Sequence, residues 1–260
     1  MSEREPVVLT SESDGILVIT INRPERRNAI DSETRALLHA AVEHLETTPE
    51  LRVGIITGAG TAAFCAGLDL IEVGRGVATR LGGADGGFAG ITRYPRSKPL
   101  IAAVNGAALG GGFEIVLACD LVIAAEEAWF ALPEPQRGIL PGGGGAVRLP
   151  LTVPRAIAND VLLAGHRLTA AEAERWGLVN RVVPAEELVA AAIEKGNAIT
   201  KAAPLAVAGT MAIAGASRRA LEAAAWDVND ANVRFIRTTD DAKEGPRAFA
   251  EKREPKWTGR

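Results

Sequence analysis

Short runs of strand-forming residues alternate with helical segments along the first two thirds of this chain. Two of the runs, Val53 to Thr57 and Leu100 to Val104, are short and almost entirely apolar, as buried strands are. The order of strands, turns and helices recurs about every 45 to 50 residues, a length that suits one supersecondary unit. The recurrence indicates stacked β-β-α units rather than a simple doubly wound sheet. We therefore predict an α/β fold.

The N-terminal residues predict a β-hairpin followed by a helix. Val7 to Thr10 and Ile16 to Ile21 flank the turn pair Asp14-Gly15, as the two strands of a hairpin would. Asp31 or Ser32 can then cap a helix that carries its apolar residues at helical spacing.

Two other regions depart from this pattern. Residues 72–97 contain seven glycines and predict a loosely ordered segment. From Leu168 onwards the chain is rich in alanine and has helical periodicity, and residues 234–260 carry eight Lys or Arg against five acids. Separate helices are expected over 170–175, 185–200, 205–213 and 217–237.

Composition excludes several classes of protein. A net charge of −3 and an isoelectric point near 5.8 argue against nucleic acid or an anionic membrane as the main partner. The charged N-terminus lacks the apolar core of a signal peptide, and Cys65 and Cys119 form no disulfide framework. We expect a cytoplasmic protein without a membrane partner. The histidines are scattered along the chain, so no metal site is predicted.

Two glycine-rich segments resemble nucleotide-binding loops only weakly. Gly58-Ala59-Gly60 follows a strand, but Ala63 replaces the third glycine of the dinucleotide-binding fingerprint. Pro141 precedes the second run, Gly142 to Gly145. Neither segment predicts a Rossmann site.

Three glycines come one helical turn before a carboxylate in the segment Gly110 to Glu114. Glycines at the start of a helix let a ligand oxygen approach backbone N–H groups at the positive end of the helix dipole. Glu114 is the only charged residue in the run 113–119, which predicts a buried carboxyl group with a raised pKa and a functional role. The alternative is that the glycines only allow close helix packing and that Glu114 lies on a solvated face.

Glu134 lies between Pro133 and Pro135, which predicts an extended, rigid backbone around it. Taken alone, such a residue is more often an acid on a surface loop. Paired with Glu114, a second rigidly held carboxylate could support acid–base addition of water to carbon.

The segment Phe64 to Leu70 follows a predicted strand and a glycine turn. Ala66 and Gly67 could supply a backbone N–H opposite that of Gly111, and two converging amides form an oxyanion hole. Cys65 has no histidine near it in sequence, so we interpret it as a packing residue rather than a nucleophile.

Together these blocks resemble the crotonase family, the enoyl-CoA hydratase/isomerase superfamily. The resemblance covers nearly the whole chain in the expected order. The matching blocks are Asn22-Arg23-Pro24 with Asn28-Ala29, Phe64 to Leu70, Lys98-Pro99 through Gly112, Glu134, Gly165 with Ala170 to Val183, Glu244-Gly245, Ala248-Phe249 and Glu251 to Arg253.

The resemblance implies a core of ββα units arranged as a spiral over residues 1–197 and a C-terminal helical trimerisation region over residues 198–260. It further implies a homotrimer or a homohexamer. The implied substrate is an acyl-CoA thioester, whose carbonyl oxygen would lie between the amides of Ala66 and Gly111. No cofactor is expected beyond the coenzyme A of the substrate.

The resemblance also implies residue roles. Glu114 and Glu134 would flank the double bond of the thioester. Lys252 would reach the coenzyme A of a neighbouring subunit, and Arg26 is chosen for the phosphates because Glu25 occupies a position that is often basic in the family. The positions assigned to acyl-CoA binding are Arg26, Ala29, Ala66, Gly67, Leu68, Asp69, Leu70, Gly111, Pro133, Gly142, Phe249 and Lys252.

The activity expected from two glutamates is that of an enoyl-CoA hydratase, the reversible syn addition of water to a 2-enoyl-CoA. A Δ3,Δ2-enoyl-CoA isomerase, which would need one acid at Glu134, is an alternative, as is another crotonase-type lyase. A non-catalytic acyl-CoA-binding protein is the third. Because two close carboxyl groups titrate as a pair, the sequence does not assign the acid and the base separately.

Overall fold

Two sheets form the body of the protein in this computed structural model, which describes residues 5–69 and 86–260. In spatial order, the larger sheet contains β1 (Val8–Ser13), β2 (Ile16–Ile21), β3 (Val53–Gly58), β5 (Leu100–Val104), β7 (Leu121–Ala125) and β10 (Arg181–Val183). The smaller sheet contains β4 (Ala63–Cys65), β6 (Ala107–Leu109), β8 (Trp129–Ala131) and β9 (Leu168–Thr169). The predicted hairpin is confirmed, since β1 and β2 pair antiparallel, whereas β2, β3, β5, β7 and β10 run parallel.

Eight α-helices lie within the described residues. They are α1 (Ser32–Thr47), α2 (Gly111–Ala118), α3 (Gly145–Arg148), α4 (Arg155–Asn159), α5 (Ala170–Arg175), α6 (Leu188–Thr200), α7 (Pro204–Ile236) and α8 (Asp241–Ala250). The side chain of Asp31 caps α1 by accepting a hydrogen bond of 2.8 Å from the Thr34 N–H, as the sequence predicts. Thr169 and Glu172 form a capping box at the start of α5.

The larger sheet separates two hydrophobic cores. Side chains alternate between its faces, so that Ile55 packs in one core and its neighbour Ile56 in the other. α6 covers one face through Leu188 and Ala192, while α1 and α2 lie in the core on the opposite face. The central strands β3 and β5 are buried on both sides, which explains their nearly continuous apolar sequences.

The predicted β-β-α organisation is confirmed, although its spacing is not uniform. β3, β5 and β7 of the larger sheet each lead into the next strand of the smaller sheet, β4, β6 and β8. The three units begin at residues 53, 100 and 121, so a repeat of constant length is wrong. The first unit is lengthened by the chain between β4 and β5, which includes the glycine-rich residues.

The C-terminal part is helical as predicted, but one boundary is wrong. The two helices expected over 205–213 and 217–237 are a single helix, α7, because the intervening Ala214-Gly215-Ala216 contains no proline and an isolated glycine is tolerated within a helix. No single described helix is long and apolar enough to cross a membrane, although α6 and α7 together, bent by 103°, satisfy length and composition. The division at residue 197 stays a prediction.

Part of the glycine-rich segment is ordered, contrary to the expectation. Residues 88–92 are buried, and Phe88–Gly90 forms a 3-10 turn whose carbonyl oxygen at Gly90 lies 3.2 Å from Nδ1 of His39 on α1. Leu70, predicted to bind the substrate, and residues 71–85, most of which belong to the segment predicted to be loosely ordered, lie outside the described residues.

Candidate active site

The chemically interesting residues follow three neighbouring strands of the smaller sheet. β4, β6 and β8 lie side by side and run parallel. Residues 66–69 come directly after β4, the segment from Gly110 to Glu114 comes after β6, and Glu134 comes three residues after β8. The carboxyl ends of parallel strands meet at one edge, so segments far apart in sequence are brought together there.

Glu114 is buried in the first turn of α2, with an exposed fraction of 3%. Its Oε1 accepts a hydrogen bond of 2.9 Å from the N–H of Gly145. Its Oε2 packs so closely against Gly143 that a side chain at that position would overlap the oxygen. The prediction that Glu114 is buried is confirmed, and the alternative of a solvated helix face is wrong.

Glu134 is also buried, with an exposed fraction of 9%, although it lies in a loop. Its Oε2 has no hydrogen-bond partner among the described residues. The expectation of an extended backbone is wrong, because Glu134 has φ −57° and ψ −44° and begins a 3-10 turn over Pro135–Arg137. Its carbonyl oxygen accepts hydrogen bonds from the N–H groups of Arg137 and Ile139, and these bonds fix the turn.

The two carboxyl groups share one electrostatic environment. Burial raises the pKa of Glu114 to about 7, while the Gly143–Gly145 amides and the positive charge of Arg148 lower it. Burial, followed by the negative charge of Glu114, raises the pKa of Glu134 to about 8. Near neutral pH the pair therefore holds about one proton, which gives it a proton donor and a proton acceptor at once.

Two backbone N–H groups face the same region. Gly111 is the first residue of α2, where backbone N–H groups have no acceptor within the helix. A methyl group built on Gly67 would lie 3.2 Å from the Gly111 nitrogen, so the loop after β4 comes very close to this amide. The Leu68 N–H has no acceptor among the described residues.

The prediction that Ala66 supplies the second amide is therefore wrong in this geometry. The Ala66 N–H donates to the carbonyl oxygen of Arg27 at 3.0 Å. A parallel β-bridge between Ile30 and Leu68 engages the backbone groups on either side of the Leu68 N–H. The Ile30 N–H donates to the Gly67 carbonyl oxygen, and the Asp69 N–H donates to the Ile30 carbonyl oxygen. This bridge leaves the Leu68 N–H as the free donor of the segment.

Phe88 is a residue of this region that the sequence did not single out. Its ring lies against the Cα atom of Gly111, where any side chain would overlap it. Phe88 also lies close to Gly143, since a methyl group built on Gly143 would be 2.9 Å from the Phe88 Cβ. Phe88 is the only phenylalanine in the glycine-rich residues 72–97, and that was the one available signal.

Asp69, predicted to bind substrate, holds the loop through Arg23. The Arg23 guanidinium bonds to Asp69 at 2.9 Å and to Asp31 at 2.8 Å, and it also donates to the Ala29 carbonyl oxygen. Ala29 is buried, whereas Arg26 is exposed at the end of a 3-10 turn. The buried ion pairs therefore fix residues 29–31 against the loop that presents Leu68.

The remaining predicted binding residues lie on the side of Glu134 and the C-terminal helices. The Gly142 carbonyl oxygen accepts a hydrogen bond from Asn229 of α7, and Pro133 is half-buried. Phe249 is half-exposed with its ring 4.3 Å from the Arg137 guanidinium, and Lys252 is exposed. α8 itself packs on the loop after Glu134, so that a side chain at Gly245 would overlap the Arg137 backbone.

The side chains that suggest other chemistry are engaged elsewhere. Burial raises the pKa of the Cys65 thiol to about 12, and its sulfur accepts from the Gly67 N–H, which agrees with a packing role. His44 pairs with Glu12, and His166 lies near Asp160 and Glu172. Residues 5–69 and 86–260 contain no group of three or more His, Cys, Asp or Glu that could hold a metal ion.

Comparison with known proteins decides the family. Residues 11–260 match the enoyl-CoA hydratase/isomerase family. The chain belongs to this family. Carnitinyl-CoA dehydratase from Salmonella arizonae is 46% identical over 249 residues, which cover 94% of this chain and 95% of that protein.

Solved structures of other members of the enoyl-CoA hydratase/isomerase family have the same fold. Carnitinyl-CoA hydratase from Mycobacterium avium matches with a TM-score of 0.93 and 40% identity, over 99% of this chain and all of that one. An enoyl-CoA hydratase from Mycobacterium tuberculosis matches with a TM-score of 0.79 and 43% identity, over 98% of this chain. The predicted crotonase-type α/β fold is confirmed.

Proposed function

We propose that this member of the enoyl-CoA hydratase/isomerase family is a hydro-lyase, which adds and removes water across C2–C3 of an acyl-CoA thioester. The observation that carries the proposal is the buried pair Glu114–Glu134. Burial, followed by the negative charge of Glu114, raises the pKa of Glu134, and one oxygen of Glu134 lacks a partner within the described residues. A buried, unpartnered carboxyl oxygen is costly to maintain unless a ligand or water bonds to it.

The Leu68 and Gly111 amides are proposed as the oxyanion hole. In the reaction they donate hydrogen bonds to the thioester carbonyl oxygen and stabilise the negative charge that develops on it. The amide of Gly111 adds the positive end of the α2 dipole to this interaction. Removing one such donor typically costs about 3 kcal/mol of transition-state stabilisation.

The paired carboxyl groups are proposed to move the protons. In hydration, the ionised group takes a proton from water as the water oxygen bonds to C3, and the electrons of the double bond move onto the carbonyl oxygen. The protonated group then gives its proton to C2 of the enolate. One water is consumed and the pair ends with one proton, as it began, so the reverse sequence is dehydration.

The names of the relatives support a finer proposal for the substrate. The 46% identity with a carnitinyl-CoA dehydratase extends over 94% of this chain, so we take carnitinyl-CoA and its dehydration product as the leading substrate pair. Similar identity to an enoyl-CoA hydratase supports simple 2-enoyl thioesters as the alternative. The homotrimer or homohexamer, the cytoplasmic location and the lack of a cofactor stay proposals.

A panel of CoA thioesters tests the function. The purified chain is incubated with carnitinyl-CoA, its dehydration product, crotonyl-CoA and a 3-enoyl-CoA. Hydration and dehydration are followed by product mass, and isomerisation, which leaves the mass unchanged, by the ultraviolet absorbance of the conjugated enoyl thioester. We expect dehydration of carnitinyl-CoA and hydration of its product to be at least about tenfold faster than hydration of crotonyl-CoA. A few contacts in the acyl pocket can supply a ratio of this size. Isomerisation of the 3-enoyl thioester without any hydration would replace the proposal with an isomerase, and binding without turnover would replace it with an acyl-CoA-binding protein.

A further inference from the structure

One stripe of α7 contacts the Gly142–Gly145 segment, which bonds to the Glu114 carboxylate. The residues of this stripe lie on one face of the helix, because they are spaced three or four positions apart or are direct neighbours. They are Glu222, Trp226, Asn229, Asp230 and Val233. Asn229 is the only buried residue of α7 among those described. Its side chain donates to the Gly142 carbonyl oxygen at 3.1 Å, and the Val233 side chain packs against the Gly142 Cα.

Arg148 lies between this stripe and the Gly142–Gly145 segment. It ends α3, the helix whose first residue, Gly145, donates to Glu114. Its Nη2 donates to the Thr92 carbonyl oxygen at 2.7 Å and lies 3.3 Å from Oε2 of Glu222. Its side chain is only 11% exposed.

The guanidinium of Arg148 also faces an aromatic ring and a glycine backbone. It lies 5.2 Å from the centre of the Trp226 ring. Its Nη1 has no hydrogen-bond partner among the described residues. This atom lies close to the Gly144 backbone, since a methyl group built on Gly144 would be 2.5 Å from it. A buried cation costs stability unless its environment uses the charge, and an apolar side chain of similar size would fill the same space at lower cost.

The charge of Arg148 also acts on Glu114. Within the described residues, Arg148, from α3, lowers the pKa of Glu114, and the Glu114 carboxylate raises the pKa of Glu134, from the loop after β8. Glu222 and Arg218 of α7 in turn face Arg148. Within the described residues, Arg148 is therefore a positive charge that offsets the effect of burial on the Glu114 pKa.

We propose that Arg148, held by Glu222 and Trp226 of α7, is a positioning residue that fixes the Gly143–Gly145 amides on Glu114 and places a positive charge opposite its carboxylate. The inference rests on the proposed hydro-lyase function for its kinetic consequence only. On this proposal α7 helps to position the Glu114 carboxylate of the same chain, because Glu222 and Trp226 of α7 hold the Arg148 guanidinium.

Arg93 offers a matched control. Its guanidinium lies 3.6 Å from the centre of the same Trp226 ring and bonds to Asp230 of α7. The positive charge with a leading effect on the pKa of Glu114 is that of Arg148, not that of Arg93. Arg93→Met and Arg148→Met therefore remove the same side-chain volume and the same kind of stacking from one aromatic ring, but only the charge of Arg148 has a leading effect on the pKa of Glu114.

The test has a readout that does not need turnover. Protein labelled with 13C at the glutamate carboxyl carbon is titrated by infrared spectroscopy, and Glu114→Gln identifies the Glu114 band. We expect Arg148→Met to raise the pKa of Glu114 by about one unit or more, because an opposing charge has been removed. Arg93→Met is expected to leave that pKa unchanged.

Kinetics supply the second readout. In Arg148→Met, kcat at neutral pH should fall about tenfold or more, with KM changed less than about threefold and the acid limb of the kcat profile moved to higher pH. Arg148→Lys, which retains the charge, should recover most of this loss. Arg148→Gln keeps a donor for Thr92 and replaces the methionine variant if that variant does not fold.

A folded Arg148→Met or Arg148→Gln variant with the parent pKa at Glu114 and the parent kcat profile overturns the inference. An inactive parent protein would overturn the proposed function alone, since the infrared titration would still decide the role of Arg148.

Discussion

Oε1 of Glu134 lies over the Cα atom of Gly110, so that a methyl group at Gly110 would be 2.8 Å from the oxygen. Gly110 has φ +52° and ψ −121°, a backbone conformation that residues with a side chain rarely adopt. Its N–H donates to the Ala131 carbonyl oxygen at 2.9 Å, which ties the start of α2 to the strand before Glu134. The glycine thus allows one carboxyl group to lie directly on the backbone that leads to the other.

Gly110→Ala should therefore damage the site and the fold together. The methyl group is strained by the positive φ and displaces the Glu134 carboxyl group, so kcat should fall at least about tenfold and the free energy of unfolding by about 1–3 kcal/mol. Steady-state hydration and urea unfolding measure the two effects. Gly209→Ala is the control, because Gly209 lies within α7 with open space around it and alanine favours helix there. Equal effects at the two glycines would contradict the close contact.

Glu114→Gln and Glu134→Gln should each abolish most of the turnover while substrate binding survives. Each substitution keeps the size of the side chain and removes a group that gains or loses a proton, so kcat should fall by a factor of about 10² to 10⁴. Dissociation constants for a non-reactive acyl-CoA, measured by calorimetry, should change by less than about fivefold. Glu127→Gln, on an exposed turn, is the matched control and should leave both quantities unchanged. Near-normal kcat in either site variant would remove the pair from the mechanism.

Much of the fold follows from local signals in the sequence. The Asp31 cap, the glycine turn at Asp14-Gly15 and the apolar run at Leu100–Val104 lie where the structure places the helix start, the hairpin and the buried strand. Proline and capping residues act within a few residues of themselves, and burial of a strand on both faces leaves a nearly continuous apolar run. The structure bears these predictions out because each depends on neighbours in the chain.

The errors in the site come from contacts between distant segments. Which N–H of residues 66–69 is free depends on the bridge between Ile30 and Leu68, and sequence order alone does not specify it. The helical backbone of Glu134 likewise opposes the usual effect of a following proline. The Gly142–Gly145 run was visible, but its role as a hydrogen-bond donor to Glu114, 31 residues earlier, required the folded chain.

The raised pKa values of the pair predict how stability depends on pH. The ordinary pKa of a glutamate is 4.5, and folding raises the pKa to about 7 for Glu114 and about 8 for Glu134. Between pH 4.5 and the folded pKa values, the native state binds more protons than the unfolded state. The contribution of the two glutamates to the free energy of unfolding is therefore complete below pH 4.5 and is lost as pH rises through the folded pKa values.

Glu134→Gln should remove part of this dependence. The amide of glutamine does not ionise, so it adds no loss of stability as pH rises. The free energy of unfolding of the variant should therefore increase by about 1–3 kcal/mol relative to the parent when pH rises from about 5.5 to about 8.5. Urea unfolding at the two pH values measures the difference, and the exposed Glu127→Gln gives the baseline. Parallel changes in all three proteins would mean that Glu134 titrates as an ordinary surface acid.

The free N–H of Leu68 predicts where a thioester oxygen binds. In a crystal structure with a non-reactive acyl-CoA, the carbonyl oxygen should lie about 2.7–3.1 Å from the nitrogens of Leu68 and Gly111. The Ala66 N–H should still donate to Arg27, because the bridge at Ile30 fixes the segment on both sides of Leu68.

Backbone chemistry provides the energetic test of the same assignment. Replacing the Leu68 amide with an ester by semisynthesis removes one N–H donor and should lower kcat about 10²-fold or more, the usual effect of losing an oxyanion-hole donor. The same replacement at Ala66 removes the bond to Arg27 and, as at Leu68, weakens the preceding carbonyl as an acceptor, so it should cost stability instead, by about 1 kcal/mol. The reverse outcome, with turnover lost at Ala66 and kept at Leu68, would restore the amide that the sequence alone predicted. The two esters therefore distinguish a donor that stabilises the transition state from one that stabilises the fold.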